Sequence, residues 1–167
     1  MKNIALVGFM GTGKTTIAVL LASKLHASYV DLDEKIEEKE GMRIVDIFSH
    51  KGEAYFRKAE KDIVAEITLQ EGKIIACGGG VVLDEDNIKN LKKNGVIICL
   101  EATPEVILKR TENYKHRPLL NVDDPKSKIE DMLEKRKSYY AKADYSIDTS
   151  KLSAQQVADE ILSWIEG

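Results

Sequence analysis

The segment Gly8-Phe9-Met10-Gly11-Thr12-Gly13-Lys14-Thr15 satisfies the pattern G-x-x-x-x-G-K-[ST], and it restricts the possible folds of this chain more than any other feature. At average residue usage the pattern arises by accident in roughly one chain of this size in 150. Context narrows the odds further. Ile4-Ala5-Leu6-Val7 before it reads as a strand, and Ile17, Leu20, Leu21 and Leu25 after it fall on one stripe of a helix. Glycines in such a loop let successive N–H groups turn inward and form a concave anion site, to which the following helix adds its positive end. Lys14 supplies a compact charge for β- and γ-phosphates, and the Thr15 hydroxyl can ligate Mg²⁺. A dinucleotide fingerprint fails, because Thr16 stands where its third glycine belongs. The predicted ligand is a nucleoside triphosphate with Mg²⁺.

The rest of the chain agrees with a fold of that kind. Val/Ile/Leu-rich runs near 3–8, 29–32, 73–77, 95–100 and 144–148 alternate with helical periods, which predicts βαβ units around a parallel sheet buried on both faces. Thr103-Pro104-Glu105 reads as a helix start, with Thr103 as the cap. Between about 34 and 70 no strand pattern occurs, and two or three helices broken at Gly41 and Gly52 are expected there. Asn113 to Pro125 fits neither pattern and is an ordinary surface loop or a moving lid. With 167 residues, one domain is expected. A formal net charge of −3 argues against general nucleic-acid binding. The absence of a long apolar run or a signal-like start leads us to expect a soluble, unsecreted protein. Cys77 and Cys99 sit inside apolar runs and read as buried thiols, and the three histidines show no metal-ligand spacing.

Several groups could form an acceptor site. Asp31 and Asp33, at the end of the second strand run, would face one side of an extended chain, one near Mg²⁺ and the other taking a proton from an acceptor hydroxyl. The plainer alternative is a pair of helix-capping aspartates before Glu34-Lys35-Ile36. Arg57 and Glu60 are i, i+3 on a helix, the spacing of an ordinary surface ion pair. Gly78-Gly79-Gly80 could be a permissive turn, or a place where a ligand lies against the backbone. Arg117 falls in the candidate lid, and Lys135-Arg136-Lys137-Ser138-Tyr139-Tyr140 is a short basic, aromatic helical stretch.

Together these residues resemble the shikimate kinases. The likeness runs from Leu6 to about Thr149 through Gly8–Thr16, Asp31-Leu32-Asp33, Asp46-Ile47-Phe48, Gly52-Glu53…Phe56-Arg57…Glu60, Gly78-Gly79-Gly80, Arg117-Pro118-Leu119-Leu120 and Arg136…Tyr139-Tyr140. The resemblance implies an α/β, three-layer P-loop NTPase fold of the nucleoside monophosphate kinase type, with a five-stranded parallel sheet flanked by helices. It also implies a helical acceptor-binding region at about 33–61 and a mobile lid at about 112–125. The implied reaction moves the γ-phosphoryl of ATP to the 3-hydroxyl of shikimate, with one Mg²⁺, in aromatic amino-acid biosynthesis. The implied protein is a cytoplasmic monomer with no nucleic-acid or membrane partner.

On that likeness Asp33 binds ring hydroxyls and accepts the proton, Arg57 and Arg136 grip the carboxylate, and Gly79 contacts substrate through its backbone. Gly11, Thr12, Gly13, Lys14, Thr15 and Thr16 hold the nucleotide, with Arg110 near the adenine and Arg117 meeting the transferring phosphate. Thr15, and Asp31 through water, hold the metal; the segment from Asp148-Thr149-Ser150 onward is expected beside the adenine. His116 is not required by the family pattern and could affect lid closure near neutral pH. The rivals are another small-molecule kinase such as a gluconate kinase, a nucleoside monophosphate kinase, and a silent nucleotide-binding module. The glycine triplet and the motif around Arg57 favour shikimate. The presence of Lys14, Asp33 and Arg117 speaks against a silent module.

Overall fold

The computed structural model describes residues 1–113 and 121–167. Strands β1 (Asn3–Val7), β2 (Ser28–Asp31), β3 (Lys73–Ala76), β4 (Gly95–Glu101) and β5 (Tyr145–Asp148) form one parallel sheet in the order β2-β3-β1-β4-β5. All four strand pairings are parallel, with Ile4 opposite Ile74 on one side and Val96 on the other. Every residue of β1 is buried, which is why its sequence is continuously apolar and not alternating.

Alternate residues of the strands feed two separate cores. Ile4, Leu6, Ile74, Ala76, Ile98 and Leu100 pack under α1 (Lys14–Leu25) and α8 (Ala154–Glu166), against Ile17, Leu21, Val157 and Ile161. Ala5, Val7, Ile75, Cys77, Ile97 and Cys99 pack on the opposite face. There they meet α2 (Leu32–Glu40), α3 (Ile44–Lys51), α4 (Glu53–Ile67), α5 (Glu85–Lys93) and the end of α7 (Pro125–Tyr140), through Ile36, Ile47, Phe56, Ile63, Val64, Leu91 and Tyr140. The result is helix, sheet, helix. The two thiols are reduced and buried in that second core.

The helix boundaries follow local chemistry. Gly41 closes α2 at φ 66, and Gly52 separates α3 from α4 at φ 84, so the region between β2 and β3 holds three helices. Thr103 caps α6 (Pro104–Thr111) by accepting from the Val106 N–H, and Asp124 caps α7 by accepting from Ser127. Ser153 and Gln156 form a reciprocal capping box on α8. The strand order reverses beside β1, so the crevice for a ligand opens at the carboxyl end of that strand. The phosphate loop begins there.

One expectation needs correcting. Asp31 and Asp33 do not both lie in extended chain, because α2 begins at Leu32. Asp31 is the last residue of β2 and caps α2, its Oδ1 accepting from the Glu34 N–H at 3.1 Å. Asp33 lies in the first helical turn, with its Oδ1 beside Gly78, whereas Asp31 lies beside Thr15. Two aspartates ahead of Glu34 suit a helix N-terminus, where the orphan N–H groups and the dipole favour anions. That preference outweighed strand continuation. The expected lid falls partly on residues 114–120, so Arg117 and His116 lie outside the described residues.

Candidate active site

The phosphate loop is shaped by glycines whose positive φ disfavours any side chain, and at Gly8 and Gly11 a Cβ would also collide with neighbouring atoms. Gly8, Gly11 and Gly13 have φ 141, 78 and 94. A Cβ on Gly8 would run into the Leu100 carbonyl, and one on Gly11 would stand 2.7 Å from Thr111 Cγ2. Thr12 Oγ1 donates to the Phe9 carbonyl at 2.7 Å and closes the turn. Gly13 caps α1 without a side-chain bond, so the first N–H groups of this helix face the loop. Lys14 Nζ arches back and donates to the Gly8 and Phe9 carbonyls at 2.6 and 3.0 Å, which holds its charge over the loop.

Beside the loop, Thr15 Oγ1 donates to Asp31 Oδ2 at 3.4 Å, and the Tyr29 hydroxyl donates to the same oxygen at 3.3 Å. Burial, with the Asp31 carboxylate next, pushes the Tyr29 phenol up to about 12. It therefore remains a donor across the physiological range. Thr15 and Asp31 are hard oxygen donors placed side by side, a set suited to Mg²⁺. Asp31 thus serves as both a helix cap and a neighbour of Thr15.

A cleft of about 350 Å³ runs from the loop between α1, α6 and the start of α8, lined by Gly11, Thr12, Gly13, Thr16, Arg110, Thr149 and Leu152. Arg110 spans its wall, donating from Nη1 to the Gly11 carbonyl at 3.2 Å and to Thr149 Oγ1 at 3.0 Å, and from Nη2 to the Thr149 carbonyl at 3.1 Å. The expected adenine-side residues are therefore brought to one place with the phosphate loop. A second cleft, about 460 Å³, lies between the end of β4 and α7, and shares only Thr12 with the first.

The glycine triplet follows β3 and organises a separate group of charges. A Cβ on Gly78 would stand 3.0 Å from Asp33 Oδ1 and 3.4 Å from Glu60 Oε2. On Gly79 it would lie 3.4 Å from Arg136 Nη1, and on Gly80 it would collide with the Arg57 guanidinium. Residues from α2, α4 and α7 thus converge on a floor that has no side chains of its own. Asp33, Arg57, Gly79 and Arg136, all candidates from the sequence, are brought together here.

Two participants were not evident beforehand. Glu60 is 1% exposed, so its 2.9 Å pair with Arg57 Nη1 is a core contact and not the surface pair its spacing suggested. Burial raises the Glu60 carboxyl above its ordinary range; the Arg57 and Arg136 guanidiniums pull it down, and Asp33 pushes it up. The buried Nε of Arg57 makes no hydrogen bond among the described residues, with Glu53 Oε1 3.7 Å away. A buried donor in that condition costs about 1–3 kcal/mol, a cost tolerated where a ligand completes the contact. The other unforeseen participant is Tyr140, whose hydroxyl donates to the Gly79 carbonyl at 2.7 Å. Both lay on apolar helical stripes, a signal open to sequence reading: Glu60 with Phe56, Ile63 and Val64, and Tyr140 with Ile129 and Leu133.

Arg57→Ala would leave Glu60 buried without its cation. We expect a loss of roughly 2 kcal/mol at pH 7.5, below the ~3–5 kcal/mol of fully buried pairs because the Arg57 side chain is 27% exposed. A carboxyl whose pKa is higher folded than unfolded binds its proton more tightly in the folded state. Its contribution to stability therefore falls as pH rises through that window and recovers as pH falls. The deficit of Arg57→Ala should shrink between pH 7.5 and pH 5 in urea titrations. An equal deficit at both values would contradict this account of Glu60.

A parallel sheet opening at β1, a glycine-bound phosphate loop with its lysine, and a second cluster of charged side chains at the glycine triplet define a small P-loop kinase. Comparison with known proteins narrows the class. The family profile described as Shikimate kinase matches residues 10–166. The chain is 49% identical over 162 residues to the shikimate kinase of Caldanaerobacter subterraneus subsp. tengcongensis, covering 97% of this chain and 95% of that protein. It is 48% identical over 166 residues to that of Thermodesulfovibrio yellowstonii, covering 99% and 96%. The structure of the shikimate kinase from Acinetobacter baumannii in complex with shikimate superposes with a TM-score of 0.94 at 38% identity, covering 99% of this chain and 93% of that one. The chain belongs to the shikimate kinase family.

Proposed function

We propose that this protein transfers the γ-phosphoryl group of ATP to the 3-hydroxyl of shikimate, giving shikimate 3-phosphate and ADP in the synthesis of chorismate and the aromatic amino acids. The observation that carries this reading is the convergence of Asp33, Arg57 and Arg136 on the glycine triplet, beside the phosphate loop. A hydroxylated carboxylic acid requires cationic forks for its carboxylate and an acceptor for a hydroxyl proton. Arginine's planar fork meets the first need, and a carboxylate meets the second.

In this reading Arg57 and Arg136 bind the acceptor carboxylate, the Gly79 backbone contacts the ring, and Asp33 orients the 3-hydroxyl and takes its proton. The hydroxyl oxygen forms the new bond to the γ-phosphorus as the bond to the β,γ-bridging oxygen breaks and ADP departs. Gly11, Thr12, Gly13 and Thr16 cradle the phosphates, Lys14 neutralises charge on the transferring group, and Arg110 lines the adenine cleft. Thr15, and Asp31 through water, would hold one Mg²⁺, which when bound neutralises the β- and γ-phosphates. The region at 33–61 binds the acceptor, and Arg117 meets the transferring phosphate, all within one domain.

Among the described residues no helix is long and apolar enough to cross a membrane. We place the protein in the cytoplasm as a monomer, with ATP, ADP and shikimate as its small-molecule partners. The test is ADP release from MgATP with shikimate, gluconate, CMP or no acceptor. Release with shikimate alone is expected. Release with gluconate or CMP instead would keep the phosphate loop and discard the roles given to Arg57 and Arg136. Nucleotide binding with no release under any condition would point to a silent module.

A further inference from the structure

Tyr140 closes α7 one helical turn beyond Arg136, so the two side chains share a face of that helix. The tyrosine is 7% exposed and packs in the core beneath the sheet's crevice. Its hydroxyl donates to the Gly79 carbonyl at 2.7 Å, and the Arg136 guanidinium sits beside the same glycine. Arg136 is also bounded by the Phe9 ring, 5.9 Å from its guanidinium carbon to the ring centroid, and by Gly79, where even a methyl would come within 3.4 Å of Nη1. The half-buried guanidinium therefore lies near an aromatic face, a bare glycine and a phenol, with the buried Glu60 carboxylate close enough to feel its charge. The Gly79 carbonyl that the phenol holds can accept a hydrogen bond from the guanidinium, as can the phenol oxygen. The same oxygen holds the glycine loop, which lies between β3 and a short 3-10 turn at Val81–Leu83.

We propose that Tyr140 is a positioning residue of the acceptor pocket: its hydroxyl sets Arg136 and the Gly79 peptide at a fixed separation, so that fork and backbone meet the acceptor carboxylate together. This rests on the reading that the pocket takes a hydroxylated carboxylic acid. A phenol suits the task because one oxygen can accept from the guanidinium while donating to the carbonyl. Phenylalanine keeps the ring's packing and loses the hydroxyl, and with it the bond to the Gly79 carbonyl.

The test is Tyr140→Phe, compared with the parent for thermal midpoint, both KM values and kcat. A purely structural tyrosine would move both KM values or the thermal midpoint alone. A positioning tyrosine raises the shikimate KM about tenfold and leaves the ATP KM within about twofold. The Arg136→Lys background supplies the second readout. A lysine has no fork to orient, so Tyr140→Phe should add less than about twofold there. A further tenfold rise in that background, an equal rise in the ATP KM, or an unchanged shikimate KM in the single variant would each overturn the assignment. A parent protein that neither binds nor phosphorylates shikimate would remove the proposed function and this inference together. A parent active on shikimate with an indifferent Tyr140→Phe removes the inference alone.

Discussion

Lys14→Ala should lower kcat/KM for phosphoryl transfer by about 10³, the largest loss expected from a single substitution among the described residues. Phosphoryl transfer leaves little covalent work to the protein, so positioning and neutralisation of the moving charge supply most of the rate. On the proposed reaction Lys14 meets that charge, and the Gly8 and Phe9 carbonyls hold its ammonium at the loop. Lys14→Arg should fail to restore the rate, since a planar guanidinium cannot occupy the position of a compact ammonium between those two carbonyls. The folded protein should persist in both variants, because the three glycines and the Thr12 contact to Phe9 shape the loop without the lysine. Steady-state kinetics with saturating shikimate, alongside thermal melting, provide the check. A loss smaller than about tenfold would remove Lys14 from the transition state.

Asp33→Asn should reduce turnover by about 10² or more while leaving nucleotide binding nearly intact. The amide has the size and shape of the carboxylate but cannot take the hydroxyl proton. Asp33 is remote from the adenine cleft, facing Gly78 and Glu60 instead, so the ADP affinity should stay within about twofold. The Asp33 charge pushes the Glu60 carboxyl upward, and replacing it by a neutral amide relieves that repulsion. Calorimetric titration with MgADP and single-turnover chemistry separate the two effects. Unchanged turnover would exclude Asp33 as the proton acceptor, and a parallel collapse of ADP affinity would show a general disruption.

How far the sequence reaches differs from element to element. The phosphate loop was legible to the residue because its function demands a particular backbone, and only glycine at Gly8, Gly11 and Gly13 provides it. The inner strands β1, β3 and β4 were legible because burial on both faces leaves continuous apolar runs, whereas the edge strands β2 and β5, each with a single buried residue, were marked mainly by the alternation of strand and helix. The Asp31–Asp33 pair was half legible: its position beside the ligand crevice followed from the strand end, but the early start of α2 at Leu32 did not. Period-2 reasoning fails where a cap begins a helix one residue sooner. Glu60 illustrates a different difficulty. Its spacing from Arg57 is the same for a surface pair and for a buried one, and only its place on the Phe56–Ile63–Val64 stripe separates them. The convergence at the glycine triplet is a product of topology. It joins α2, α4 and α7 to the end of β3, elements between which the sequence shows no periodic relation.

The measurement that bears most directly on the central claim is the structure of the product. The protein is incubated with MgATP and shikimate, and the reaction is followed by ³¹P and ¹H NMR until ATP is consumed. Stoichiometric ADP with a single phosphomonoester, whose phosphorus couples to the proton on carbon 3 of the ring, is the predicted result. A phosphate on another hydroxyl, or ADP accompanied only by inorganic phosphate, would contradict the arrangement of Asp33, Arg57 and Arg136 around the acceptor.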